Sequence, residues 1–146
     1  MMKRLDQRGV AAFEFCLVAV AFFTLVFAIF DLGRYAITVQ SLRALANAEA
    51  RTMMIKCYSP AASGFVPNTS PSSCTDTYLT SAQMTDVAPF LYAGGLSPTL
   101  ATTLETTSGA AALTVTARQP NFSMMMPIWG TSLNQPSAST KVPLLN

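Results

Sequence analysis

Residues 10–30 read VAAFEFCLVAVAFFTLVFAIF, an apolar stretch of the length a helix needs to cross a bilayer, roughly 20 residues. One side chain in it is out of place. Glu14 is a carboxylate one turn inside the run, and such a group costs on the order of 2–3 kcal/mol or more toward the bilayer centre unless something neutralises it. Two readings follow. In the first, Glu14 is interfacial, within reach of headgroups and water and favoured by the positive end of the helix dipole. In the second, the chain is cut after Gly9 and the new α-amine sits on Val10. Glu14 then lies four residues on, on the same helical face and about 6 Å along the axis, where it can pair with that amine or a neighbour's.

The charge distribution supports a membrane-anchored chain. Only 11% of the 146 residues are charged and about half are hydrophobic, as expected when lipid is part of the solvent. The formal net charge of +2 resides in residues 1–9, where Lys3, Arg4 and Arg8 outnumber Asp6; the remaining side chains balance at six basic and six acidic. Neither a nucleic acid nor an acidic substrate is implied. The same basic residues precede the span, whereas Arg34 and Arg43 follow it alongside Asp31, so the bias favours a cytoplasmic N-terminus and an exported C-terminus. A secretory signal peptide is the rival reading of this region, but its apolar part is shorter, and no clear small-x-small cleavage site follows.

Beyond the span the helix is expected to continue. Residues 31–56 contain no Pro and are rich in Ala, Leu, Arg and Gln, which predicts a helix over residues 10–56, about 70 Å long. Tyr35, Val39, Leu42, Ala46, Glu49 and Met53 recur at steps of four and three and form one stripe, which Glu49 interrupts. Arg34, Gln40, Arg43, Asn47, Arg51 and Lys56 fall mostly off it. The stripe fits packing on the chain's own small domain as well as packing on neighbouring subunits, and the alanines at 44, 46, 48 and 50 permit close approach in either case. Gly33 marks a bend at the membrane exit or is tolerated in a long helix.

The character changes at Cys57. A Pro- and Ser-rich loop, residues 58–73, cannot continue the helix. It is bracketed by Cys57 and Cys74 on the side that orientation places outside, so a Cys57–Cys74 disulfide is the simplest arithmetic, leaving Cys16 as a small apolar residue in the span. Residues 81–92 predict a second short helix through Met84, Val87, Ala88 and Leu91, with Pro89 against it and Gly94-Gly95 ending it. Strands follow from Pro98: residues 112–118 alternate and are rich in β-branched residues, residues 124–129 form an apolar patch closed by Gly130, and residues 137–144 return as a final strand. The fold class is therefore α+β, a long transmembrane and amphipathic helix followed by a small domain of mixed helix and antiparallel strands.

Little catalytic chemistry is available. The chain has no His, which removes the usual nucleophile pairs and the commonest zinc sets. Past Lys56 the charged side chains are Asp76, Asp86, Glu105, Arg118 and Lys141, scattered without a catalytic spacing. Thioethers hold soft copper, but the run Met124-Met125-Met126 has no Cys or His nearby in sequence and reads as packing. Neither an enzyme, a cofactor nor a metal site is expected.

The string Arg8-Gly9-Val10-Ala11-Ala12-Phe13-Glu14-Phe15 resembles the prepilin-peptidase site of type IV pilin-like proteins: a short basic leader, a Gly, then a hydrophobic helix with Glu at the fifth mature position. The aromatic after Glu14 is closer to the Flp/Tad branch, although Phe15 stands where Flp pilins commonly carry Tyr. Asp31-Leu32-Gly33-Arg34 and Asn47-Ala48-Glu49-Ala50-Arg51 are similar to segments of TadE-like proteins. The resemblance spans residues 4–55. It implies a minor pilin or pseudopilin of a Tad/Flp-type system, cut between Gly9 and Val10 by a prepilin peptidase and using Glu14 and Phe15 in assembly. The implied partners are other Tad pilins and pseudopilins, the membrane assembly platform and the lipid bilayer, and the implied location is the cytoplasmic (inner) membrane, with possible entry into a filament. The implied organisation is a leader at 1–9, a transmembrane and assembly helix at 10–30, its extramembrane continuation at 31–56 and an exported domain at 57–146. The alternatives are a periplasmic scaffold or binding protein that stays anchored in the membrane, and a secreted domain released by signal peptidase.

Overall fold

A single helix carries the rest of the chain. In the computed structural model, which describes residues 7–58, 77–107 and 110–144, helix α1 (Gln7–Met53) runs for 47 residues. That is about 70 Å at 1.5 Å per residue. It passes through Gly33 without a break and closes in a π-helical turn, Met54–Tyr58. The first proline of the sequence is Pro60, so nothing before it removes a helical donor.

The two halves of α1 have different surroundings. Along residues 10–30 the side chains are almost all exposed, and the Phe23 ring packs on its helical neighbours Phe22 and Phe27. From Asp31 onward one face is covered: Asp31, Thr38, Leu42, Leu45, Ala46, Glu49, Ala50 and Met53 are buried. The expected stripe is met at Leu42, Ala46, Glu49 and Met53, with Tyr35 and Val39 half-buried and Asp31, Thr38, Leu45 and Ala50 added to it, and Arg43, Asn47, Arg51 and Lys56 lie off it in water. It is a domain-packing face within this chain. The alanines divide accordingly. Ala46 and Ala50 face the core, whereas Ala44 and Ala48 line a shallow groove with Gln83 and Asp86.

The partner layer is a three-stranded antiparallel meander of β1 (Thr99–Thr107), β2 (Ala110–Arg118) and β3 (Ser137–Leu144), in that spatial order. In the register Leu113 pairs with Leu104 and Val142, and Ala117 with Leu100 and Ala138. Leu113, Val115 and Ala117 therefore point to one face, which packs on α1, while Thr114 and Thr116 point to the other. Burying a Leu, Val or Met here contributes roughly 1.5–3 kcal/mol each. The α+β architecture and the strand at 137–144 match the sequence reading.

The second helix is shorter than expected. Helix α2 covers only Ser81–Val87, opened by a capping box in which Thr80 Oγ1 accepts from the Gln83 N–H at 3.3 Å and Gln83 Oε1 accepts from the Thr80 N–H at 3.0 Å. Pro89 ends it. Lacking an N–H and disfavouring helical geometry in the residue before it, Pro89 leaves Ala88 at φ −140°, and the chain continues as a 3-10 segment, Pro89–Gly95. Ala88 and Leu91 are buried all the same.

Glu49 does not interrupt the stripe as its charge suggested. It is fully buried, and its two carboxylate oxygens accept the backbone N–H groups of Tyr78 at 2.7 Å and Leu79 at 3.1 Å. Lys56 grips the other side of the same backbone, donating to the Tyr78 carbonyl at 3.1 Å. Truncation by Glu49→Ala leaves two amide donors without partners and should cost at least about 2 kcal/mol locally, or roughly thirtyfold faster amide exchange. Hydrogen exchange at Tyr78 and Leu79 measures it. Glu49→Gln, which keeps one acceptor, should fall between.

Candidate functional site

Besides Glu49, two places on α1 carry polar chemistry against an apolar background. The first is its N-terminal end. Gly9 and Val10 lie inside the helix, in its first turn, and a Cβ placed on Gly9 would meet no atom within 4 Å. The fold thus imposes no need for Gly at this position. Glu14 is exposed and, among the described residues, has no hydrogen-bond or ion-pair partner. Phe13 and Phe15 on either side of it are 66% and 72% exposed, and Cys16 is free. A carboxylate on an apolar helix is costly in lipid unless water, headgroups or an opposite charge satisfies it.

The second place is where the domain meets α1 just past the apolar run, at Asp31, which the sequence reading saw only as a flanking charge. Asp31 is 1% exposed and accepts two backbone N–H groups, from Met126 at 3.0 Å and Met125 at 3.1 Å. Arg34, one turn on, approaches the same carboxylate at 3.8 Å and lies over the Phe122 ring, which Tyr35 also contacts. The Met run thus acts through its amides, with the Met125 side chain turned outward. Spacing alone carried a clue: Asp31 and Glu49 are 18 residues apart, five turns of helix, and so share one face.

The Met126 amide holds the Asp31 carboxyl below the ordinary value near 3.8, with the Met125 amide and the Arg34 charge acting in the same direction against the opposing effect of burial. The Trp129 indole lies close enough to add to this, although its buried N–H has no hydrogen bond of acceptable geometry. At the solvent face of the sheet, a hydrogen bond and charge from Lys141 hold Glu105 low in the same way, with Thr114 a weaker donor.

Cys57 is disulfide-bonded and sits half-buried in the π turn against the core. Cys74 and nearly all of the loop at 58–73 lie outside the described residues, as does most of the leader. Among the described residues no three His, Cys, Asp or Glu side chains gather as a metal site.

Residues 9–51 match the family model of TadE-like proteins. Over that segment, under a third of its length, the chain is similar to TadE-like proteins. The matched segment takes in both the bare apolar half of α1 and most of the stripe that seats the domain, including Glu14, Asp31 and Glu49. No curated protein and no solved structure matches the chain. Helix α1 contains a window of mean hydropathy 2.6 with almost none of it buried, which fits a single-pass membrane protein.

The Asp31 contact has a defined pH response. A carboxyl whose folded value lies below its unfolded one adds stability that is fully present above the unfolded value and is lost as pH falls through the folded one. Acidification below about pH 4 should therefore release the loop from α1, with Trp129, the one tryptophan of the chain, reporting the change in emission. In Asp31→Asn that acid step should be missing.

Proposed function

We propose that this chain is a minor pilin or pseudopilin of a Tad/Flp-type system, processed after Gly9 and assembled through helix packing in the cytoplasmic membrane. The observation that carries the proposal is the coincidence of the TadE-like match with an apolar helix that has no covering within the chain and bears a partnerless Glu14. TadE-like proteins are a structural kind of protein, and the role needs no catalysis. Residues 1–9 act as the leader and residues 10–30 as the transmembrane and assembly segment. Residues 31–56 and the domain after them project on the far side of the membrane, where oxidising conditions maintain a Cys57–Cys74 disulfide.

In this reading Glu14 is a register device. The mature α-amine on Val10 and the Glu14 carboxylate are each costly to leave alone in lipid, and a subunit whose Glu14 meets a neighbour's amine relieves both. A misplaced subunit relieves neither. The exposed aromatics around Glu14, including Phe15, supply the packing surface that brings the two groups together.

Intact mass and co-purification test the proposal together. In cells carrying the prepilin peptidase, the wild-type chain should lose residues 1–9, while Gly9→Leu should retain them, because the fold has room for the side chain and only the peptidase objects to it. Glu14→Gln should insert in the membrane normally and lose partner co-purification and pilus assembly. Normal trimming of Gly9→Leu would contradict the processing site; wild-type assembly by Glu14→Gln at normal abundance would contradict the register role. An untrimmed wild-type N-terminus would indicate a permanently anchored scaffold.

A further inference from the structure

We infer that the excursion between β2 and β3 rests on the bilayer, its tip at Met125 and Ile128 dipping into the headgroup region of the outer leaflet beside the exit of α1. The inference rests on the reading of residues 10–30 as membrane-spanning and goes beyond it, because it assigns a second, separate lipid contact to the domain.

Four observations fix the occupant as lipid. The first is height: Asp31 is the residue after the apolar run, and its carboxylate holds the amides of Met125 and Met126, so this excursion lies level with the end of the span. The second is exposure, since Met125 and Ile128 are 77% and 60% exposed although both are large and apolar. The third is charge. Residues 119–136 contain no Lys, Arg, Asp or Glu, whereas a surface facing water at this length normally carries some. The fourth is Trp129, half-buried next to Ile128, a residue type enriched where protein meets the bilayer interface.

The excursion is built to hold its tip in place. Its base closes with the Gln119 N–H donating to the Pro136 carbonyl at 3.0 Å, and the Gln135 N–H reaches the Phe122 carbonyl at 3.1 Å. Asn134 Oδ1 accepts from the Met124 N–H at 3.1 Å, and the tip turns through a 3-10 segment, Pro127–Trp129, capped by Gly130 at φ 59°. A preformed turn loses little entropy on entering the interface. Together with the helix, the tip gives the domain two supports on the membrane, so its tilt as well as its height is set.

The test uses the full chain in vesicles whose phosphatidylcholine carries bromine either near the headgroup end of the acyl chains or near their ends. Trp129 is the only tryptophan, so its emission reports this site alone. The expected result is strong loss of emission with the shallow bromines and a smaller loss with the deep ones. Met125→Ser combined with Ile128→Ser leaves the amides that bind Asp31 in place and should return the emission toward that in unbrominated vesicles. Emission indifferent to bromine, in protein that resists alkaline carbonate extraction, would overturn the inference and leave the span intact. Equal loss in the wild type and the double variant would also overturn it, because the tip would then not be what holds Trp129 near lipid. Protein stripped off by carbonate would overturn the span and this inference together.

Discussion

A buried carboxylate is tolerated only when its oxygens are satisfied, and this fold satisfies two of them with backbone amides from distant parts of the chain. Asp31 takes the amides of Met125 and Met126, and Glu49 takes those of Tyr78 and Leu79. The two acids stand about 27 Å apart on one face of a single helix. Between them the apolar stripe of Leu42, Leu45, Ala46 and Met53 supplies the area, while the carboxylates supply direction: a domain slid by one turn would leave four amides without partners and both carboxylates without their backbone donors. Apolar packing resists a slip as well, through mismatched shapes costing roughly 1–3 kcal/mol each, but it leaves no buried amide unpaired.

The consequence is a rigid strut. Residues 10–30 offer a bare apolar surface, residues 31–53 are clamped to the sheet, and nothing in α1 between them interrupts the helix. The position of the apolar half of α1 is thereby tied to that of the sheet through one unbroken helix. The remaining alanines, Ala44 and Ala48, line a shallow groove between α1 and α2 instead of the core.

Much of this was legible in the sequence because it rests on local patterns. The apolar length of 10–30, the four-three stripe, the alternation at 112–118 and the return strand at 137–144 each depend on residues close together in the chain. What escaped depends on partners far away. Glu49 looked like a break in the stripe because its charge was visible and the Tyr78 and Leu79 amides, about 30 residues on, were not. Asp31 looked like a flanking charge, and the Met run like packing, because side-chain composition says nothing of where backbone donors point. Pro89 was visible, yet the apolar spacing through Leu91 outweighed it. The spacing persisted in three dimensions while the α-helix stopped. The proposed roles of Gly9, Val10, Glu14 and Phe15 rest on an out-of-place carboxylate and on resemblance to TadE-like proteins, and the contacts within the chain add nothing to them, because Glu14 and Phe15 are exposed.

The claim that two carboxylates lock the domain to the helix is tested most directly by the distance distribution between spin labels on each, measured in bilayer nanodiscs. Labels at exposed Gln40 on α1 and Ser139 on β3, introduced as cysteines in a Cys16→Ser background, bracket the interface without touching its core. The account predicts one narrow distribution, broadened when Asp31→Ala and Glu49→Ala are combined and the helix and sheet are free to slide. A distribution equally narrow in the combined variant would show that apolar packing fixes the register by itself and would contradict the account.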